Sequence, residues 1–202
     1  MITIYHVPGT RGFRPLWLCE ELGLAYERKD VSFDAEYRAS PEWRRMNPVG
    51  KVPVMTDGDL TMFESCAMVQ VLLDRYGDGQ LEPERGSDTS ALMHQWSWFA
   101  ESTLARPLGE IVNHRRVFGD AAQEAITAEM RQRALLALEA VDAALGDQEF
   151  ILDWGFSAAD INLGWSLMVA TQFAPFDHLQ RATAYYTRLT ERPAFQAARN
   201  AK

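Results

Sequence analysis

Every stretch with strand character in this 202-residue chain lies before residue 77, and everything after it reads as helix. Residues 2–7 (ITIYHV) are rich in β-formers and end at Pro8-Gly9, which predicts a strand. Residues 13–22 predict a helix, with Pro15 in the first turn, where no amide donor is lost, and Gly23 as its stop. Residues 26–32 suggest a second strand, and Ser40-Pro41 opens a short helix through Met46. Asn47-Pro48-Val49-Gly50 reads as a turn. Two strands follow, 52–56 and 60–63, around Asp57-Gly58-Asp59, a tight hairpin signal. Ser65 is expected to cap a helix whose Val69, Leu72, Leu73 and Tyr76 share one face.

The order β-α-β-α-β-β-α predicts an α/β thioredoxin-like N-terminal domain over residues 1–77. Residues 78–87 carry Gly, Pro and charge with few apolar side chains and are read as a linker. Residues 88–202 are expected to form an all-α C-terminal domain. Its parts are a long helix over 88–116 kinked at Pro107, a helix over 120–145, helices over 157–171 and 177–190, and a short last one opened by Pro193. In the second of these, Ile126, Met130, Ala134, Leu138, Val141 and Leu145 trace one apolar stripe. Ser157 and Asp160 have the spacing of a capping box.

A hydrophobic content of 47% is that of a globular chain, and a net charge of −8 without a basic stripe argues against nucleic acid and anionic membranes as partners. No stretch approaches the roughly 20 apolar residues of a membrane helix, and no signal peptide is evident at MITIYHVPG. Cys19 and Cys66 form no metal-ligand spacing and read as reduced thiols of a cytoplasmic protein. The four histidines are scattered, so no metal site is expected.

Three segments join chemistry to this framework. Pro8-Gly9-Thr10-Arg11-Gly12-Phe13-Arg14 leads from the first strand into the first helix, where free amides and positive potential favour an anion; the alternative is that Thr10 merely caps the helix. Pro53 marks an edge or bulge, and a cis Val52-Pro53 bond would turn the Val52 backbone outward to pair with a peptide; an edge proline without ligand is the alternative. Glu64-Ser65 sets an acid and a hydroxyl at a helix start, suited to an ammonium and a carboxylate, unless Ser65 only caps its own helix.

Taken together, these segments resemble the glutathione transferase family, its bacterial and theta-like members in particular. The resemblance runs through Arg14 and Cys19-Glu20-Glu21-Leu22-Gly23, Asn47-Pro48 with Gly50-Lys51-Val52-Pro53, Glu64-Ser65, the Gly155–Asp160 box and Arg192-Pro193-Ala194-Phe195. It implies glutathione as co-substrate, with Glu64 and Ser65 on its γ-glutamyl end. Val52, before a cis Pro53, would pair with the cysteinyl unit, and Lys51 and Arg38 would meet the glycine carboxylate. It implies Thr10, Tyr5 or a backbone amide as activator of the thiol, Thr10 ranking first, with Arg11 assisting electrostatically. The family's serine is a threonine here. No cysteine stands between residues 8 and 14, which argues against the members that form a mixed disulfide with glutathione.

The implied reaction is attack of the glutathione thiolate on a small electrophile, a detoxifying conjugation. The electrophile is expected in a pocket between the domains lined by Phe13, Trp98, Arg106, Arg115 and Phe118. Reduction of a disulfide or peroxide, dehalogenation or isomerisation on the same site are alternatives, as is a non-enzymatic binding module. A homodimer is implied, with the first helical hairpin of the second domain at the interface.

Overall fold

The computed structural model describes residues 1–200; residues 201 and 202, the end of the expected second domain, lie outside the described residues. The chain divides into two compact units, Met1–Leu81 together with the segment from Glu191 onward, and Glu82–Thr190.

The first unit holds β1 (Ile2–His6), α1 (Phe13–Glu21), β2 (Tyr26–Asp30), α2 (Ala35–Ala39), α3 (Pro41–Met46), β3 (Val54–Asp57), β4 (Leu60–Phe63) and α4 (Ser65–Leu72). The strands form one mixed sheet in the order β2-β1-β3-β4, with β1 parallel to β2 and the other neighbours antiparallel. This is the thioredoxin-like arrangement the element order predicts. Alternation along β1 buries Ile2, Ile4 and His6 on one face, while Tyr5 lies on the other against Trp43 of α3. Helix α1 is wholly buried from Phe13 to Cys19, which explains why its leucines fall on mixed faces.

Parts of this unit depart from the sequence reading, β3 among them, which starts at Val54 rather than at residue 52. Residues 35–39, unassigned from sequence, form α2, capped by Asp34, whose carboxylate accepts from the Tyr37 amide at 2.6 Å. The last helix, α10 (Pro193–Asn200), packs with the first unit rather than the helical one. Phe195 sets its ring edge-on to Phe13 and Trp17, each 4.9 Å away between centroids. Arg192 forks onto both Glu21 carboxylate oxygens at 2.7 Å, the bidentate geometry that makes such pairs directional.

The second unit holds α5 (Asp88–Phe99), α6 (Arg106–Phe118), α7 (Glu124–Leu145), α8 (Ala158–Phe173) and α9 (Gln180–Thr190). The helix expected over 88–116 is continuous but widens to π-helical turns over Ala100–Ala105, and Pro107, which has no amide to donate, follows directly in the first turn of α6. Helix α8 is buried over most of its length. Its capping box is present: the Asp160 carboxylate accepts from the Ser157 amide at 2.8 Å, from the Ile151 amide at 3.0 Å and from the Tyr185 hydroxyl at 2.7 Å. On α7 the apolar stripe is covered from Ala134 to Leu145, but its first part is not: Ile126 is exposed and Met130 half-buried.

Candidate functional site

The corner between β4 and α4 gathers the clearest polar groups. Glu64 occupies the position before the helix with φ at 77°, a left-handed conformation that a non-glycine residue holds only at a cost of roughly 1–3 kcal/mol. Its carboxylate is exposed and caps nothing. Ser65 is not the cap expected from sequence. It is the first helical residue, buried, and its Oγ accepts a hydrogen bond of 3.0 Å from Arg14 Nη1. Arg14 itself is completely buried on α1.

Between α3 and β3 the chain makes a tight loop held by the side chains of Asn47 and Arg44. Asn47, buried, donates through Nδ2 to the Lys51 carbonyl at 2.9 Å and accepts the Val49 amide on Oδ1 at 3.1 Å. Arg44 adds a hydrogen bond from Nη1 to the Pro48 carbonyl at 2.6 Å. Gly50 has φ at 63° and lies so close to the Arg38 carbonyl and the Arg44 guanidinium that a Cβ would collide with both. The loop delivers exposed Lys51 and half-buried Val52 ahead of β3, and the Val52–Pro53 bond is cis. The Arg38 guanidinium lies 4.8 Å above the Phe33 ring.

The loop from β1 to α1 carries the hydroxyl. Thr10 Oγ1 donates to the Val7 carbonyl at 2.7 Å, within its own turn. The helix cap is Gly12, so Thr10 does not cap α1. Free amides expected at this helix start are largely absent: those of Phe13 and Arg14 are taken by the Thr10 and Arg11 carbonyls at 3.1 and 3.2 Å, and Pro15 has none. Arg11 is half-buried. Beneath the loop lies His6, whose Nδ1 is buried without a hydrogen-bond partner among the described residues and whose ring fills the space a Gly12 side chain would need. Burial, with Arg28 nearby, lowers the His6 pKa to about 4, so the ring is neutral. Tyr5 sets its ring 6.1 Å from that of Trp43, with the Lys29 ammonium 5.6 Å from its centroid.

The second unit has a groove of about 430 Å³ between α6 and α7. Arg106 and Phe118 line it, together with His114, Ile126, Met130 and Arg133. Trp98 is exposed on α5 and Arg115 lies 5.9 Å from the Phe173 ring; neither lines the groove. Phe13 is 4% exposed within the aromatic cluster of α1 and α10, and so is a core side chain of the first unit rather than a pocket wall. Cys19 and Cys66 are not disulfide-bonded, and burial pushes the Cys19 thiol up to about 12, which leaves it unreactive.

A family model of the glutathione S-transferase N-terminal domain matches residues 1–73. Glutathione S-transferase 4 of Zea mays is 30% identical over 193 residues, covering 90% of this chain and 83% of the maize protein. Glutathione S-transferase 3 of Schizosaccharomyces pombe is 25% identical, over 98% of this chain and 86% of its own. The glutathione transferase URE2P6 of Phanerochaete chrysosporium, solved with oxidized glutathione, superposes with a TM-score of 0.89 at 25% identity, over 98% of this chain and 94% of that one. This chain belongs to the glutathione S-transferase family.

For a transferase of this family the sequence pointed to the three segments that carry polar groups in the first unit. It missed Arg14 as the partner of Ser65 and Asn47 as the brace of the Lys51 loop. Both signals were present, a charged residue inside an apolar helix and an Asn before a Pro-containing turn, but neither states its partner. The groove residues Met130 and Ile126 continue the apolar stripe of α7, a pattern that does not say what covers it.

Proposed function

We propose that this glutathione transferase holds its co-substrate on the Glu64–Ser65 corner and the Lys51 loop and activates the thiol with Thr10. The observation that carries this reading is the corner itself. A non-glycine residue held at φ 77° leaves the Glu64 carboxylate exposed beside a buried Ser65 hydroxyl that donates its proton to no described residue. A carboxylate and a hydroxyl donor at a helix start suit the ammonium and carboxylate of one amino-acid head group. Lys51 is exposed without a partner among the described residues, and with Arg38 supplies cationic charge for a second carboxylate. The Val52 backbone lies ahead of the β3 ladder, ready for strand-like pairing with the cysteinyl unit.

Thr10 is favoured over Tyr5 because the Tyr5 ring is engaged by Trp43 and Lys29. In the resting geometry Thr10 gives its proton to the Val7 carbonyl. Turning that proton onto a sulfur anion exchanges a neutral hydrogen bond for a charge-assisted one, roughly twice as strong. With Arg11 nearby, a lowering of the thiol pKa by roughly one to two units follows, about 2 kcal/mol at 1.36 kcal/mol per unit. The loop from residue 8 to 14 contains no cysteine, so the attacking sulfur is assigned to glutathione itself, whose thiolate forms a thioether when it displaces a leaving group from a carbon electrophile.

Arg106 and Phe118, which share a groove, are assigned to the electrophile. The reading extends to a hydroxyl-type, bacterial or theta-like member, homodimeric, cytoplasmic and detoxifying. Product analysis with a chloronitroarene, a peroxide and a mixed disulfide tests it. A thioether as main product is expected, with the bound-thiolate ultraviolet absorbance lost in Thr10→Val and kept in Thr10→Ser. Reduction without thioether, or Thr10→Val with an unchanged thiol pKa, overturns the assigned chemistry.

A further inference from the structure

We propose that Arg14 is the positioning residue that commits Ser65 to bind an anion, and so sets the recognition of the γ-glutamyl carboxylate; this rests on the reading of the corner given above. A guanidinium has donors only. With Arg14 Nη1 donating to Ser65 Oγ at 3.0 Å, one of the two acceptor positions of that oxygen is filled. Its own proton goes to no described residue, although the side chain is only 3% exposed. A buried hydroxyl in this state is a donor in search of an acceptor. A serine at the first helical turn otherwise has two options, to accept from the helix amides or to donate outward. Here the acceptor bond comes from Arg14, no described amide donates to this oxygen, and the outward donation is what is left.

The placement of Arg14 fits this task and no exposed one. Its side chain is completely buried, between residues of a helix whose other inward positions are apolar. A charge so placed is expensive unless its donors are used. It also brings positive charge to the inner side of the α4 start, where the helix amides already favour an anion. The carboxylate therefore meets a hydroxyl polarised from behind by a cation it does not touch. Lysine retains the charge but loses the planar fork that fixes the direction of the donor.

Calorimetric titration separates this role from a merely structural one. Two ligands are needed: glutathione, and the analogue in which the γ-glutamyl α-carboxylate is replaced by hydrogen. Arg14→Lys is expected to weaken glutathione roughly tenfold or more, the scale of a hydrogen bond to a charged group, and to leave the affinity for the analogue at the wild-type value. Ser65→Ala is expected to do the same, and the double variant to be no weaker than either single one. Equal weakening of both ligands by Arg14→Lys, or additive losses in the double variant, overturns the proposal. Because a buried arginine variant can fail to fold, side-chain arginine NMR of the wild-type protein provides a second test. The Arg14 guanidinium signals are expected to shift with glutathione and to stay in place with the analogue; signals that ignore both ligands overturn the proposal. Absence of glutathione binding by the wild-type protein would instead sink the reading of the corner.

Discussion

His6 has an imidazole inside the first unit, under Gly12 and next to Pro53, with Nδ1 bonded to nothing among the described residues. Its pKa falls from 6.5 in the unfolded chain to about 4 in the fold. Between these values the unfolded chain binds the proton and the folded one does not, so stability rises with pH across that window. The contribution is fully present above pH 6.5 and is lost as the pH falls toward 4, about 3 kcal/mol in all at 1.36 kcal/mol per unit. Urea denaturation at a series of pH values is expected to show this acid limb, and His6→Leu to flatten it. An unchanged limb in the variant would place the acid sensitivity elsewhere. None of this was readable from the sequence, where His6 is one of four scattered histidines; burial is a property of the alternation along β1 together with the loop above it.

At the scale of elements, Asn47 shows how a side chain builds a loop. Its two hydrogen bonds close the turn from both sides, to the Lys51 carbonyl and from the Val49 amide. Because the two ends of a trans peptide group point in opposite directions, fixing the Lys51 carbonyl inward aims the Val52 amide away from Asn47. Asn47→Ala is expected to cost roughly 1–3 kcal/mol in stability and to raise KM for glutathione while kcat at saturation changes little, as denaturation and steady-state kinetics will show. A fall in kcat with KM unchanged would mean that the loop serves chemistry rather than binding. On the helical side, Asp160 is buried and accepts from four donors, the amides of Ile151 and Ser157 and the hydroxyls of Ser157 and Tyr185, so Asp160→Ala removes the acceptor from all of them. A loss of roughly 2–4 kcal/mol is expected, above the ~1 kcal/mol of an ordinary cap; a cost within that ordinary range in thermal melts would contradict it.

These two elements also mark how far the sequence could be read. The capping box was legible because Ser157 and Asp160 answer each other within one turn. The strands and long helices were legible because their periodicities differ. What was not legible depends on partners distant in the chain. Ser65 looks like a cap, but Glu64 holds the cap position and the serine oxygen accepts from Arg14, 51 residues earlier. Pro107 signals a disturbance of the long helix but not its form, the π-helical turns over Ala100–Ala105. The open end of the α7 stripe has the same pattern as its buried end and differs only in what covers it.

At the scale of the whole molecule, the second unit exposes Leu92 and Trp98 on α5 and Leu136 on α7, apolar surface of the kind an association face uses. Sedimentation equilibrium is expected to give a dimer that Trp98→Glu weakens; a monomer at micromolar concentration would contradict the homodimer. The central claim concerns the first unit, that the Glu64–Ser65 corner and the Lys51 loop bind glutathione. Calorimetric titration of the purified protein with reduced glutathione tests it most directly. The account predicts saturable binding of one molecule per chain, at submillimolar concentration, abolished together by Glu64→Ala and Ser65→Ala. No heat and no thermal stabilisation at high glutathione, or binding that survives both substitutions unchanged, would contradict it.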